Sequence, residues 1–284
     1  MRGTRPGMSG MHQRQKPYEG PNEQSDSMMS RRSVVISGLG WCACSACAAE
    51  GMGASANTAE QITEEQGPGY RLRFIGAQRE TIMNGKLAAA VDLRKLANTA
   101  HLYGLGPLEE LRGEVTIVDS RPSLARVNSA GIVEVTQSYD GGAPFLVWAE
   151  VAAWRDLPIP ADVRSFADLE AFVPRAAEST GLDPQTPLPF MLRGRQTLVE
   201  FHVLNRVGDP PHSMEQHKKI QATFDLENVD ATIIGFHSTR HRGIFTPMDS
   251  TIHIHFQTPD NRTSGHIQKL QLASGLTLSL PRPS

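Results

Sequence analysis

The segment STIHIHFQTPDNRTSGH, Ser250 to His266, constrains this chain more than any other stretch. Along a strand, residues i and i+2 point to the same side, so Thr251, His253 and His255 share one face while Ile252, Ile254 and Phe256 share the other. Two imidazoles therefore look the same way. The residues that follow are rich in Pro, Asp, Asn, Ser and Gly, a composition that turns a chain and lets it return beside its starting strand. Such a return brings His266 to His253 and His255.

A lone strand histidine is more often a hydrogen-bonded or partly exposed imidazole than a ligand, and a His-x-His pair also occurs on surface strands. The third histidine beyond a turn of suitable length changes the balance. Three neutral ring nitrogens with an open fourth position are the arrangement of catalytic rather than structural zinc. A metal so held can polarise a substrate oxygen as a Lewis acid. The cysteines point the same way, because Cys42, Cys44 and Cys47 all fall near the start and the rest of the chain has none. A thiolate zinc site, a catalytic thiol and a disulfide framework are thereby excluded from the folded body.

The start reads as targeting sequence. Residues 1–29 are an unpatterned leader or a mis-assigned start, with Met28 and Met29 both plausible first residues. Residues 30–56 then give Arg31-Arg32, a weakly apolar run from Val34 to about Cys47, and a small-residue cleavage site at Ala46-Cys47-Ala48. That is the layout of a twin-arginine export signal, and its apolar run falls short of the roughly 20 residues of a bilayer span. The alternatives are a basic leader without targeting function, or a lipid on Cys47. The expectation is a periplasmic or extracellular protein without stable membrane insertion. Twin-arginine export carries folded cargo, so a metal can be loaded beforehand.

Residues 57–69 read as a linker, and 70–284 as the body, divided at about residue 185. The chain of 284 residues is 39% hydrophobic with a formal charge of −2, and it has no basic stripe to serve as a phosphate footprint. No nucleic-acid partner is expected. DLRKLANTAHLYGLG predicts a short amphipathic helix through Leu93, Leu96, Ala97 and Ala100, and SFADLEAFVPRAAEST a second, ended by Gly181 and Pro184. GEVTIVDS, LARVNSAGIVEV and PFLVWAEVAAW predict strands, with Asn128 to Gly131 as a hairpin reversal. Past residue 186 nearly everything reads as strand. The fold class is α+β: a mixed N-terminal sheet (70–185) with flanking helices, packed on a β-rich, barrel-like C-terminal part (186–284) that carries the metal site.

At these residues the chain resembles the α-acetolactate decarboxylases, which carry a His-x-His-Phe strand, a turn containing Arg-Thr-Ser-Gly, and a third zinc-binding histidine. GLGPLEELRGEVTIVD is similar to that family's Gly-Leu-Gly-Thr-Phe…Leu-Asp-Gly-Glu segment, with Glu114 at its active-site glutamate. GAPFLVWAEV resembles its Thr-Pro-Phe-Ala strand, and TFDLENVDATIIGFHS its Phe-Glu-Leu-Glu-Asn-Val strand pair; the segment order is kept over about residues 70–281. The resemblance implies a protein that is dimeric in several members and converts 2-acetolactate to acetoin and carbon dioxide. It also implies Zn²⁺ on His253, His255 and His266, with Glu114 moving protons. From LRGEV alone, Glu114 would pass for a solvated strand-entry residue.

Two features depart from that family. It places arginines ahead of the loop RVGDPPHSMEQHKK, one of them expected at the substrate, where an ungapped count here finds Glu200 and His202. Imidazole is a weaker carboxylate clamp than guanidinium. Arg193, Arg195 or Arg206 serve if the alignment slips; His202 is also a candidate acid/base or unorthodox ligand facing the metal, and Arg240 a replacement clamp if HSTRHRG overhangs the metal. The family also continues into a tail returning a glutamate, where this chain reads LSLPRPS. Three classes stay open: the decarboxylase, a zinc enzyme acting on another hydroxy-keto or carbonyl substrate, and a non-catalytic small-molecule binder.

Overall fold

The alternating segments of the body become strands, described over residues 61–209 and 211–283 of the computed structural model, with Arg14–Gln15 as a further two-residue strand, β1. The twin-arginine segment and the three cysteines lie outside the described residues. Two seven-stranded antiparallel sheets account for the architecture. The first holds, in spatial order, β2 (Thr63–Gly67), β3 (Tyr70–Ile75), β10 (Leu146–Val151), β5 (Leu102–Pro107), β6 (Glu114–Val118), β7 (Arg121–Val127) and β8 (Val133–Thr136). The second holds β1, β13 (Gln221–His237), β14 (Ile252–Gln257), β15 (Ser264–Leu272), β12 (Leu188–Leu204), β16 (Thr277–Pro281) and β11 (Trp154–Pro158). A two-stranded ribbon joins β4 (Val91–Asp92) to β9 (Gly142–Ala143). The sheets change over between Val151 and Trp154, well before residue 185.

The sheets face each other across one core, in which Leu72, Leu105 and Val147 of the first meet Phe190, Phe201 and Phe236 of the second. The first sheet is apolar on its other side too, where Ile117, Leu124 and Trp148 form a second cluster. That explains why all five residues of β6, Glu114 included, are buried. Strands this tightly layered require glycine at close approaches: a Cβ on Gly106 would sit 2.5 Å from the Phe145 carbonyl oxygen.

The C-terminal half is not a closed barrel. β12 and β13 are 17 residues each and pair along their whole length, while β14 takes one end of β13 and β15 the other half of β12. Strands that long change partners along their length: β13, β14, β15 and β12 pair in a ring, yet the seven-stranded sheet as a whole ends, among the described residues, on β1 and β11. Nor is Thr63–Gly67 linker: it pairs with β3 from Thr63↔Phe74 to Gly67↔Tyr70. Its polarity is that of an edge strand, and Glu64 reaches across to Arg73 at 2.7 Å, which also meets Glu150 at 2.6 Å.

Helix α2 (Phe166–Ser179) forms as its period demands, with Leu169, Val173, Ala176 and Ala177 buried on one side. Ser165 and Asp168 close a reciprocal capping box at its start. Replacing Ser165 with Ala removes that acceptor and should cost about 1 kcal/mol. In a thermal melt this lowers the midpoint by roughly 2–4 °C for a domain of this size, and an unmoved midpoint would show that the cap carries no stability. The asparagine turn also forms as expected, Asn128 Oδ1 accepting from the backbone N–H groups of Ala130 and Ile132.

The helix expected over residues 93–100 shrinks to one 3-10 turn, Leu93–Leu96, capped by the Asp92 side chain. Tertiary pairing of β5 with β10 takes over directly after it and outweighs a short run of helix formers. Two short helices went unread: α1 (Gln78–Asn84) and α3 (Met214–Lys219). At seven and six residues they show too little periodicity to register.

Candidate metal centre

The site is built by the strand that alternates histidine with apolar residues. Ile252, Ile254 and Phe256 of β14 enter the core, so His253 and His255 must share the opposite face. The turn then closes on itself: Thr258 N–H donates to Thr263 O at 2.9 Å, and Asp260 accepts from Thr258 Oγ1 at 2.6 Å and from Arg262 N–H at 3.1 Å. The chain returns as β15 with His266 directly across from His255. Gly265 permits the approach of β12 on the other side, since a Cβ there would lie 2.6 Å from the Phe201 ring and 2.8 Å from the His202 carbonyl oxygen.

One ring nitrogen from each of His253, His255 and His266 lies within 4.8 Å of the other two. The first two rings are oriented from behind. His253 Nδ1 is 2.7 Å from the carbonyl oxygen of Phe245, which can only accept, so Nδ1 carries the proton and Nε2 presents its lone pair. That Nε2 is 3.1 Å from His266 Nδ1. His255 Nδ1 is 3.2 Å from Thr116 Oγ1, which in turn accepts from Ser264 Oγ at 2.9 Å. Its Nε2 is buried and has no hydrogen-bond partner among the described residues. Held rings with inward lone pairs are what a metal site needs behind its ligands.

Two further groups converge here. His202 of β12 is paired in register with His266, and the two rings stack with centroids 4.5 Å apart. Glu114 reaches in from the other sheet, with Oε1 3.6 Å from His202 Nε2 and Oε2 3.8 Å from His255 Nε2. Both separations exceed hydrogen-bond length. Burial sets the charge state of all five. It lowers His253 to about 4 and His202 to about 3, and His255 and His266 well below the ordinary histidine value. It also pushes the Glu114 carboxyl well above the ordinary carboxylate range, with a hydrogen bond from the Leu204 backbone offsetting this in part. A buried His255 Nε2 without a hydrogen-bond partner among the described residues, two more ring nitrogens beside it and a carboxyl that lacks a counter-charge fit a divalent cation.

The cluster closes the inner end of a pocket of about 740 Å³. Glu114, His202, His253 and His266 line it, with walls from α1, α2, α3 and the loop around Met248. Glu170 of α2 fastens one wall by accepting from Thr251 N–H, Thr251 Oγ1 and Ser250 Oγ. His217 of α3 also lines this pocket, and burial lowers it to about 4. Arg240 is exposed and reaches Glu65 at 3.4 Å without lining the pocket. The loop that carries it instead positions Phe245, whose ring stacks on His241 and whose carbonyl orients His253. Arg193 and Arg195 are exposed toward the far end of β12, Arg206 is buried against Glu110 at 2.8 Å, and Glu200 meets Lys269 at 2.9 Å.

Set beside known proteins, residues 76–281 match the family model of alpha-acetolactate decarboxylase. No curated protein matches the chain. Among solved structures, a Staphylococcus aureus protein of unknown function similar to alpha-acetolactate decarboxylase is 16% identical, with a TM-score of 0.61 over 74% of this chain and 84% of its own. Alpha-acetolactate decarboxylase from Bacillus subtilis strain 168 is 18% identical, with a TM-score of 0.56 over 72% of this chain and 82% of its own. At such identities the structural likeness is one of fold.

Proposed function

The chain belongs to the alpha-acetolactate decarboxylase family, and from that premise we propose that it is a zinc-dependent carboxy-lyase converting 2-acetolactate to acetoin and carbon dioxide. The observation that carries this reading is the convergence of Glu114 with buried His253 and His255 and half-buried His266 of β14 and β15 at the inner end of one pocket. His253, His255 and His266 would hold the ion, which when bound supplies a Lewis acid for negative charge developing on the substrate's ketone and hydroxyl oxygens.

The chain's own residues do the rest. In decarboxylation the bond between the carboxylate carbon and the hydroxyl-bearing carbon breaks, and its electron pair moves into the ketone to give an enediolate. That carbon must then take up one proton. Glu114, beside His202 and His255 and on the pocket wall, is placed to deliver it and to be reprotonated from solvent through the pocket. His202 lies against both Glu114 and His266, and so limits how far either side chain can swing. Buried Phe145, Leu111 and Leu204 also line the pocket, and such low-polarity walls strengthen charge interactions beside them.

The test is acetoin formation from racemic 2-acetolactate by the zinc-loaded chain. One acetoin per carbon dioxide is expected. Bound zinc without acetoin would transfer the site to another hydroxy-keto or carbonyl substrate. The twin-arginine segment supports a place outside the cytoplasm for the mature protein, with the metal loaded before export.

A further inference from the structure

The loop between β13 and β14 holds a histidine that the proposed chemistry does not use. His241 is only 8% exposed, although it sits in the basic run HSTRHRG. Four neighbours fix its ring. Ser238 Oγ lies 2.8 Å from Nδ1, and Glu65 Oε1 of the edge strand β2 lies 3.8 Å from Nε2. Phe74 packs edge-on with centroids 4.9 Å apart, and Phe245 stacks at 4.7 Å with 20° between the planes. A ring held at its nitrogens and packed by two aromatics is a fixed platform for Phe245.

The backbone of the same residue holds the peptide that follows Phe245. His241 O accepts from the N–H groups of Phe245 and Thr246, each at 3.2 Å. Thr246 N and Phe245 O belong to one planar peptide unit, and in a trans peptide its N–H and C=O point opposite ways. Anchoring that N–H on His241 therefore aims the oxygen away from His241, toward His253 Nδ1 at 2.7 Å. Ring and carbonyl of one residue thus set the place and the direction of the group that keeps the His253 proton on Nδ1 and leaves Nε2 for an ion.

We propose that His241 is a positioning residue of the metal centre, acting on His253 through the Phe245 peptide. The stack fixes where that peptide sits, and without it the Phe245 carbonyl is free to drift from the nitrogen it orients. Through Glu65, the strand β2 joins the same support, although it lies ahead of the residues 76–281 that match the family model. The proposal rests on the three-histidine metal reading and is independent of which substrate is decarboxylated.

The experiment measures the zinc dissociation constant of the full chain by competition with a chromophoric chelator, at a temperature well below the melting midpoint of the zinc-free protein. The visible spectrum of the cobalt-substituted chain is recorded beside it. His241→Ala should weaken zinc binding by about tenfold or more, as changes behind a metal ligand do, and should shift the cobalt bands. His241→Phe keeps a flat ring for the stack and should stay within about threefold of the parent. A lower melting midpoint for zinc-free His241→Ala, with zinc affinity and cobalt bands unchanged, would make the residue merely structural and overturn the inference. Equal losses in the alanine and phenylalanine variants would overturn it as well, because the stack would not then carry the effect. Should His241→Ala fail to fold, Ser238→Ala releases the ring at Nδ1 alone: zinc weakened by about threefold or more supports the inference, and unchanged affinity overturns it. A parent chain that binds no zinc defeats the metal reading and this inference with it, whereas zinc binding that responds to His241 without any acetoin supports the inference and defeats only the decarboxylase reading.

Discussion

His255→Ala should abolish stoichiometric zinc binding and, with it, acetoin formation. Of the three candidate ligands this is the most enclosed, with no exposure and an Nε2 that has no partner among the described residues. Its Nδ1 side faces Thr116, which leaves Nε2 to meet an ion. Changes to groups merely behind a metal ligand cost about 10–100-fold in affinity, and loss of the ligand itself should exceed that. Stability supplies a second readout. An ion present at a hundred times its dissociation constant adds about 2.7 kcal/mol to the folded state. For a domain of this size that is a rise of roughly 5–10 °C in the melting midpoint. Chelation should therefore lower the midpoint of the parent chain by that amount and leave the variant where it is. A variant that retains one zinc per chain by elemental analysis would remove His255 from the ligand set.

The second large effect falls on rate rather than on metal. Glu114→Gln keeps the shape of the side chain and removes its capacity to give and recover a proton. With Glu114 in the proton-donating role, acetoin formation should drop by about 10²–10⁴-fold while zinc content stays at the parent level. The separation of the two readouts matters, because Glu114 Oε2 is only 3.8 Å from His255 Nε2. Loss of zinc along with activity would make Glu114 part of the metal's support, and a rate within tenfold of the parent would leave the proton transfer to another group. His202, at 3.6 Å from Glu114, would be the first to examine.

The residues involved differ in how far they could be read in advance. His253 and His255 were legible because a strand's two-residue period is local and the intervening isoleucine and phenylalanine positions declare which face is core. The return of His266 was legible because Thr258–Thr263 is turn chemistry, again local. Glu114 was legible only through family resemblance: LRGEV gives no sign that its glutamate is buried, which follows from the first sheet being covered on both faces. His217 carries no local signal, because α3 is a single short helix whose packing beside the pocket leaves no periodic trace.

The amino-acid sequence by itself determined the α+β class, the helix α2 with its cap, the asparagine reversal, and the two strands with the turn that gather three imidazoles. These are decisions between neighbours, governed by dihedral preference and by which side of an element is apolar. Tertiary structure alone decided that His202 lies across from His266, that a carboxyl from the other sheet meets them, and which partners β12 and β13 take along their length. Each of those depends on register between distant strands. The β12–β15 pairing slips between Glu200 and Phe201, and one residue of slip reverses which side chains face inward. Such register is set by the packing of both sheets at once, and no short window of residues contains it.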